Sequence, residues 1–152
     1  MVNNKKESIS TLQDVLHHEI PLSRDMGVTV VDYDGARLTL KAPLENNINH
    51  KATAFGGSLY SLAVLSGWGL LYLQLKEQGL QGHIVIHESQ VKYLKPVQGD
   101  IIAMAILDEP AIMDRFVKAY RRSGKARIKL HAEVQFEGEL AVEFLGQYVV
   151  HR

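Results

Sequence analysis

The stretch ATAFGGSLYSLAVLSGWGLLYLQL, residues 52–75, carries no charged side chain, and Lys76 ends it. After the pair Gly56-Gly57 it stays apolar on every side for about five helical turns. A helix that is apolar all round is either surrounded by protein or inserted in lipid. The environment of this stretch therefore decides the fold of the whole chain.

A membrane-spanning helix needs about 20 apolar residues, and this stretch is long enough. However, Trp68 lies near its middle, whereas the aromatic residues of membrane helices concentrate at the two interfaces. Small and polar residues also dilute its hydrophobicity: Ser58, Ser61, Ser66, Gly67, Gly69 and Gln74. Strand-like segments precede and follow it, and each needs a surface to pack against. We therefore expect a buried core helix and no membrane span.

The composition is that of an ordinary globular protein, with 46% hydrophobic and 22% charged residues among 152. We expect a single domain over residues 1–152, with an N-terminal helical segment over residues 1–21. Seventeen basic residues balance seventeen acidic ones, so the net charge does not point to nucleic acid or an acidic membrane. The chain has no cysteine, and its first residues lack the apolar run of a signal peptide, so a cytoplasmic location is expected.

Hydrophobic patterning predicts the elements around the long helix. An amphipathic helix is expected at residues 8–18, and a hairpin turn at Asp34-Gly35 joins two short strands. Residues 125–136 alternate between apolar and polar side chains, which indicates a strand with one wet face. Further strands are expected at residues 84–94, 101–107 and 140–150, and residues 109–124 are polar and mixed, with a helical part. An α+β fold, in which an antiparallel sheet curves around one long helix, satisfies this order.

Two segments resemble a known family. Residues 49–63, NHKATAFGGSLYSLA, resemble the loop-plus-helix motif of hotdog-fold acyl-CoA thioesterases, and residues 91–96, VKYLKP, resemble the family's central strand and turn. The chain is most similar to the thioesterase-like C-terminal domain of bacterial proteins whose N-terminal half is a GNAT acetyltransferase. The resemblance covers roughly residues 22–150 and implies a hotdog fold.

The same resemblance implies a function and a set of site residues. It implies hydrolysis of acyl-CoA or acyl-carrier-protein thioesters without a cofactor, between the subunits of a homodimer or of a dimer of dimers (a homotetramer). Asn49 would place the thioester or its water, and the backbone N–H groups of Gly56 and Gly57 would hold the thioester oxygen. Many family members carry a carboxylate on the long helix two turns after the glycine pair, where this chain has Val64.

The glycine pair also has a physical rationale of its own. The first N–H groups of a helix have no partner within the helix and lie at the positive end of its dipole. They suit the oxyanion that forms when a thioester carbonyl is attacked. Gly56 and Gly57 would either let a substrate approach closely or serve close packing of the helix against a strand. Phe55, directly before the pair, is assigned to substrate binding.

Because valine replaces the family's carboxylate, another group has to activate water. Period-two counting puts Glu88 on the same strand face as Ile84 and Ile86, either as a solvated residue or as a partly buried base. His50 would serve as a base because imidazole titrates near neutrality, unless it is an exposed loop residue. Ser61 would hold a water or a carbonyl, unless it bonds to its own backbone.

Residues 115–129 include seven basic side chains and no acidic one. Arg121, Arg122 and Lys125 are therefore candidates for binding the phosphates of coenzyme A or the acidic surface of acyl carrier protein. The alternative for this segment is a solvated strand face and loop.

Two other ligand classes are not expected. The basic segment lacks interleaved aromatic residues beyond Phe116 and Tyr120, which argues against nucleic acid. His83 and His87 are four residues apart, a spacing that suits metal ligation on a helix. On the strand expected there they lie roughly 13 Å apart, so no metal site is predicted.

Two alternatives to a hydrolase follow from the sequence. Val64, in place of a carboxylate, favours a non-catalytic acyl-CoA-binding module. Residues 121–126 also fit the R-x-x-G-x-A pattern of GNAT acetyltransferases, which requires a helix that starts near Gly124. The alternation from Lys125 onward argues against that helix.

Overall fold

A computed structural model describes residues 2–152, and their side chains from residue 4 onward. Along the chain the helices and strands are α1 (Val2–Glu19), α2 (Pro21–Asp25), β1 (Thr29–Tyr33), β2 (Arg37–Ala42), α3 (Gly56–Glu77), β3 (His83–Tyr93), β4 (Ile101–Ile106), α4 (Pro110–Ser123), β5 (Lys125–Phe136) and β6 (Glu139–His151). A short 3-10 helix at Leu44–Asn46 lies in the loop before α3.

The strands form one antiparallel sheet in the order β1-β2-β4-β5-β6-β3, so β1 and β3 are its two edges. Helix α3 lies across one face of this sheet and contacts β2, β3, β4, β5 and β6. An antiparallel sheet around one long helix confirms the predicted α+β architecture. Strand β5 and the start of α3 lie where the sequence pattern predicts them.

Two glycines in the middle of α3 let the helix approach the sheet closely. A methyl group at Gly67 would meet the ring and hydroxyl of Tyr148, a side chain that is itself fully buried. A methyl group at Gly69 would lie 2.7 Å from Leu38 and 3.1 Å from Leu12. Protein interiors are packed too densely for these neighbours to move aside at no cost. Glycine at both positions therefore sets the distance between helix and sheet.

Helix α4 is longer and more regular than the sequence pattern predicts for this segment. Its buried residues, Met113, Phe116, Val117 and Tyr120, follow the spacing of one helix face. Pro110 starts the helix, and Gly124 ends it in the left-handed conformation with φ of 73°. The helix packs against β5.

The sequence predicts that protein surrounds α3 completely, and the structure corrects this prediction on one side. Gly57 is exposed, and four further residues at helical spacing are half-buried: Ser61, Val64, Trp68 and Tyr72. We call these five residues the open stripe. The stripe borders the edge strand β3, because the indole N–H of Trp68 donates a hydrogen bond to the carbonyl of Ile84 (3.1 Å).

The length and composition of α3 would allow it to cross a bilayer. However, 67% of its most apolar window is buried within the chain. This burial is what the core helix of a sheet provides, and it agrees with the prediction of no membrane span.

Candidate active site

The first turn of α3 leaves two backbone donors open. The N–H groups of Ser58 and Leu59 donate to the carbonyl of Phe55 (2.9 and 3.0 Å). No described residue accepts a hydrogen bond from the N–H of Gly56 or Gly57. These two donors lie at the positive end of a 22-residue helix, where they favour a negatively charged oxygen.

The loop before α3 is fixed by backbone hydrogen bonds on both sides of the helix start. The N–H of Phe55 donates to the carbonyl of Asn47 (2.7 Å), and the N–H of Ala54 donates to the carbonyl of Val97 (2.8 Å). The side-chain amide of Asn47 is buried and donates to Met26 and Pro43 carbonyls (2.9 and 2.8 Å). The two open donors are therefore held on a rigid frame.

Two exposed aromatic side chains lie beside the open donors. Phe55 and Tyr93 are each more than 50% exposed, and their rings lie next to Gly57 and Gly56. The Tyr93 hydroxyl donates to the carbonyl of Gly56 (3.1 Å), which joins the end of β3 to the start of α3. A methyl group at Gly57 would collide with the ring of Phe55, so glycine there lets this ring lie beside the helix start. The surface suits the acyl chain of a ligand whose carbonyl meets the two N–H groups.

Asn49 builds the turn that precedes the helix. Its Oδ1 accepts hydrogen bonds from the N–H groups of Lys51 (2.8 Å) and Thr53 (3.1 Å), and its Nδ2 donates to the Thr53 hydroxyl (2.9 Å). These bonds stabilise a tight turn in which Ala52 has a positive φ of 61°. Most of the hydrogen-bonding capacity of this side chain is therefore used within the loop. His50 lies on the same turn and is exposed.

Two sequence candidates on α3 lie on the open stripe. Ser61 is half-buried and lies one turn beyond Gly57. Val64 is also half-buried, and its carbonyl accepts a hydrogen bond from the Tyr148 hydroxyl (2.8 Å). The position where the family carries a carboxylate thus faces the open side of the helix, with an apolar side chain.

The predicted orientation of Glu88 is wrong. A β-bulge at His87 shifts the register, because Ile86 pairs with Tyr148 while Glu88 pairs with Gln147. Beyond the bulge the alternation is inverted, and the exposed Glu88 points to the outer face of the sheet, away from α3. Glu88 also lies five residues from Tyr93, about 16 Å along the strand.

The bulge turns Ser89 toward the helix instead. Its hydroxyl forms a hydrogen bond with the Tyr60 hydroxyl (2.7 Å), one helical turn from the open donors. Burial and the nearby Tyr60 raise the pKa of Tyr93. The sequence pattern does not predict this group of three hydroxyls, Tyr60, Ser89 and Tyr93, near the helix start. Only the spacing of Tyr60, four residues after Gly56, could have indicated it.

The basic residues lie at the other end of the sheet. Lys125 pairs with His151, which pairs with His83 at the start of β3, whereas Tyr93 and Gly56 lie at its end. The 11 residues of β3 separate the two ends by about 33 Å. One chain therefore does not bring Arg121, Arg122 and Lys125 to the glycine pair.

The GNAT alternative fails on the structure of residues 121–126. That motif must open a helix to bind a pyrophosphate with its N–H groups. Here it closes α4, and Lys125 begins a strand.

A single antiparallel sheet around one long helix, with open donors at the helix start, defines a hotdog-fold protein. Residues 9–152 match the family described as "Putative thioesterase (yiiD_Cterm)", and the chain belongs to this family. Both findings confirm the resemblance to hotdog-fold thioesterases.

Solved structures agree with this assignment. The chain is similar to a protein of unknown function from Chlorobaculum tepidum TLS, with 36% identity and a TM-score of 0.93 over 97% of this chain and 96% of that one. It is also similar to a "putative thioesterase" from Shewanella oneidensis, with 29% identity and a TM-score of 0.88 over 97% of this chain and 99% of that one. A Pseudomonas aeruginosa protein titled "Probable Thioesterase" shares the fold at 21% identity and a TM-score of 0.80, over 93% and 94% of the two chains.

Proposed function

We propose that the protein hydrolyses acyl thioesters of coenzyme A or of acyl carrier protein. The observation that carries this proposal is the pair of open N–H groups at Gly56 and Gly57, set in an exposed apolar surface. Membership of a thioesterase-like family supports the same chemistry.

The two donors would act on the charge that develops during hydrolysis. Water attacks the thioester carbonyl carbon and gives up a proton to a base. The carbonyl oxygen becomes an oxyanion, and the tetrahedral intermediate then expels the thiolate. An aligned backbone donor contributes about 3 kcal/mol to lowering such a barrier. Phe55 and Tyr93 would bind the acyl chain beside the carbonyl.

The group that activates water is proposed from the positions of the candidate residues. Ser61 shares the open stripe with Gly57, and His50 lies on the turn before the helix, so both are near the donors. Asn49 would act mainly by holding that turn. Glu88 is left out of this proposal, because its carboxylate faces away from α3.

The proposed active unit is a homodimer. An unpaired edge strand next to an uncovered helix face offers backbone and side-chain contacts to a second copy. A two-fold axis perpendicular to the sheet pairs the two β3 strands antiparallel and puts both helices on the same side, where each covers the other's open stripe. A further pairing into a dimer of dimers would use the outer sheet face, where Val85, Ile102 and Leu145 are 38–47% exposed. The proposed location is the cytoplasm.

The second candidate function is acyl-thioester binding without hydrolysis. The half-buried Val64 on the open stripe favours it, because no carboxylate stands at that position. Such a module would use the same donors and the same apolar surface.

A panel of acyl-CoA and acyl-carrier-protein substrates of increasing chain length separates the two functions. The hydrolase is expected to release thiol, detected with a chromogenic disulfide, with a preference for certain chain lengths. Calorimetric binding of the same thioesters without release of thiol would select the binding module. If the protein neither hydrolyses nor binds any of them, both proposals fail.

A further inference from the structure

A cavity lies at the end of the sheet opposite to the glycine pair. It measures about 670 Å³ and is lined by residues 79–83, Tyr120 and Arg152. Segment 79–83 connects the end of α3 to the start of β3. The family comparison and the resemblance assign nothing to this cavity.

The groups in and around this cavity are donors and cations. No described residue accepts a hydrogen bond from the N–H of Gln81 or Gly82. The guanidinium of Arg152 lies 5.7 Å from the ring centroid of Tyr120, whose hydroxyl donates to the carbonyl of Gln81. Arg121 reaches the same loop, with Nη2 3.4 Å from the carbonyl of Gln78. No acidic side chain is among the residues that line the cavity, so it suits an anion.

In the proposed homodimer, the two-fold axis places this cavity next to the glycine pair of the other subunit. In one chain the two lie about 33 Å apart at opposite ends of β3. When two β3 strands pair antiparallel, the His83 end of one strand lies against the Tyr93 end of the other, about 4.8 Å away. Because Tyr93 contacts Gly56, the donors of one subunit and the cavity of the second copy then share one end of the dimer.

We infer that this cavity binds phosphate of the coenzyme A or acyl carrier protein whose thioester lies at Gly56 and Gly57 of the other subunit. The inference rests on the proposed function for the identity of the ligand. Arg121 and Arg152 bind phosphate oxygens, and the open N–H groups of Gln81 and Gly82 add neutral donors. Coenzyme A and acyl carrier protein both present a phosphorylated pantetheine, so the cavity serves either carrier.

Binding measurements test the site independently of hydrolysis. Calorimetry compares coenzyme A, 4′-phosphopantetheine and pantetheine on the wild type and on the double variant Arg121→Gln/Arg152→Gln. The double variant is expected to bind coenzyme A and phosphopantetheine about 100-fold more weakly, because the loss of each charged hydrogen bond weakens binding about tenfold. Its pantetheine affinity is expected to remain that of the wild type. Arg37→Gln, an exposed arginine on β2 near the opposite edge of the sheet, is the control and keeps full affinity.

The three ligands also identify the source of the phosphate. If phosphopantetheine binds as tightly as coenzyme A, the single phosphate common to both carriers is the group recognised. A much tighter binding of coenzyme A assigns the cavity to its additional phosphates. The inference is overturned if the wild type binds coenzyme A no better than pantetheine, or if the double variant binds it as the wild type does.

Mixed dimers test whether the cavity acts across subunits. One subunit carries Gly56→Pro, which removes a donor of the glycine pair, and the other carries Arg121→Gln/Arg152→Gln; different affinity tags isolate the mixed species. If each site combines the donors of one subunit with the cavity of the other, the mixed dimer has one intact site and one site with both defects. It should then have about half of the wild-type kcat/KM for acyl-CoA. A mixed dimer no more active than its two parent homodimers would place both halves of the site in one chain and overturn the inference. If the wild type hydrolyses nothing, the hydrolase proposal fails, while the calorimetric comparison still decides on the phosphate site.

Discussion

The two glycine pairs of α3 have opposite environments and opposite uses. Gly67 and Gly69 lie in the middle of the helix, buried against Tyr148, Leu38 and Leu12. Gly56 and Gly57 lie at its start, with open N–H groups. In the first pair the absence of a side chain brings the helix against the sheet; in the second it keeps the backbone accessible. The same residue type thus serves stability at one place and ligand approach at the other.

The largest effect is expected from removing a donor at the helix start. Gly56 is the first helical residue, and Phe55 before it already has the extended conformation that precedes proline (φ −62°, ψ 133°). Gly56→Pro should therefore fold normally but lose one N–H, and kcat should fall by about 100-fold. Gly56→Ala keeps the N–H, and its methyl group has room at 3.7 Å from Tyr93, so it is expected to retain most of the activity. Equal activity of the two variants would contradict an oxyanion role for this donor.

The next largest effect is expected on the stability of the fold, at the buried pair Gly67 and Gly69. Gly67→Ala places a methyl group against the fully buried Tyr148, and overpacking of this kind costs about 2 kcal/mol of the free energy of unfolding. Urea denaturation measures the change, with Gly56→Ala as a control for glycine replacement in the same helix. A Gly67→Ala variant as stable as the wild type would show that the helix and sheet move apart easily, and the contrast between the two pairs would then disappear.

The turn before the helix should contribute somewhat less. Asn49→Ala removes three hydrogen bonds from the loop, and about 1–2 kcal/mol of stability together with part of kcat/KM should be lost. Asn49→Asp keeps the oxygen that accepts from Lys51 and Thr53 and should restore most of both quantities. If the aspartate variant is stable but as inactive as the alanine variant, the Nδ2 group acts on the substrate itself.

The smallest effect concerns the hydroxyl that packs on Gly67. Tyr148→Phe loses the hydrogen bond to Val64, about 1 kcal/mol at neutral pH. Burial raises the pKa of Tyr148, so the folded protein keeps this proton above pH 10, where the unfolded chain loses it. The stabilisation is complete below pH 10 and declines as the pH rises further. Urea midpoints at pH 9 and pH 11 should therefore differ more for the wild type than for Tyr148→Phe.

Local patterns in the sequence predicted most of the fold. The alternation in residues 125–136 and the uncharged stretch before Lys76 are long and regular, so they indicate a strand and a helix with few alternatives. Helix α4 was under-predicted because its charged residues mask a narrow apolar face. Its limits, Pro110 and Gly124, were visible in the sequence as start and stop signals.

The site was less predictable because it depends on contacts that no local pattern contains. A single extra residue at His87 inverts the orientation of Glu88 and turns Ser89 toward Tyr60. The run of basic residues predicted Arg121 as a ligand-binding residue, but the sheet topology places it far from Gly56 of the same chain. The position of the glycine pair at the helix start was predicted correctly because helix-start signals are local; the role of the pair and of its partners stays a prediction.

The bulge at His87 also has a consequence for the open edge of the sheet. A long, regular edge strand is a template onto which further strands add without limit, as in fibrils. The bulge divides β3 into His83–Ile86 and Glu88–Tyr93, and the change of register between the two parts makes this edge irregular. A second copy of the same strand has the same irregularity. The bulge thus makes β3 a poorer template for open-ended addition of strands, and the pairing proposed for the homodimer sets two equally irregular edges against each other.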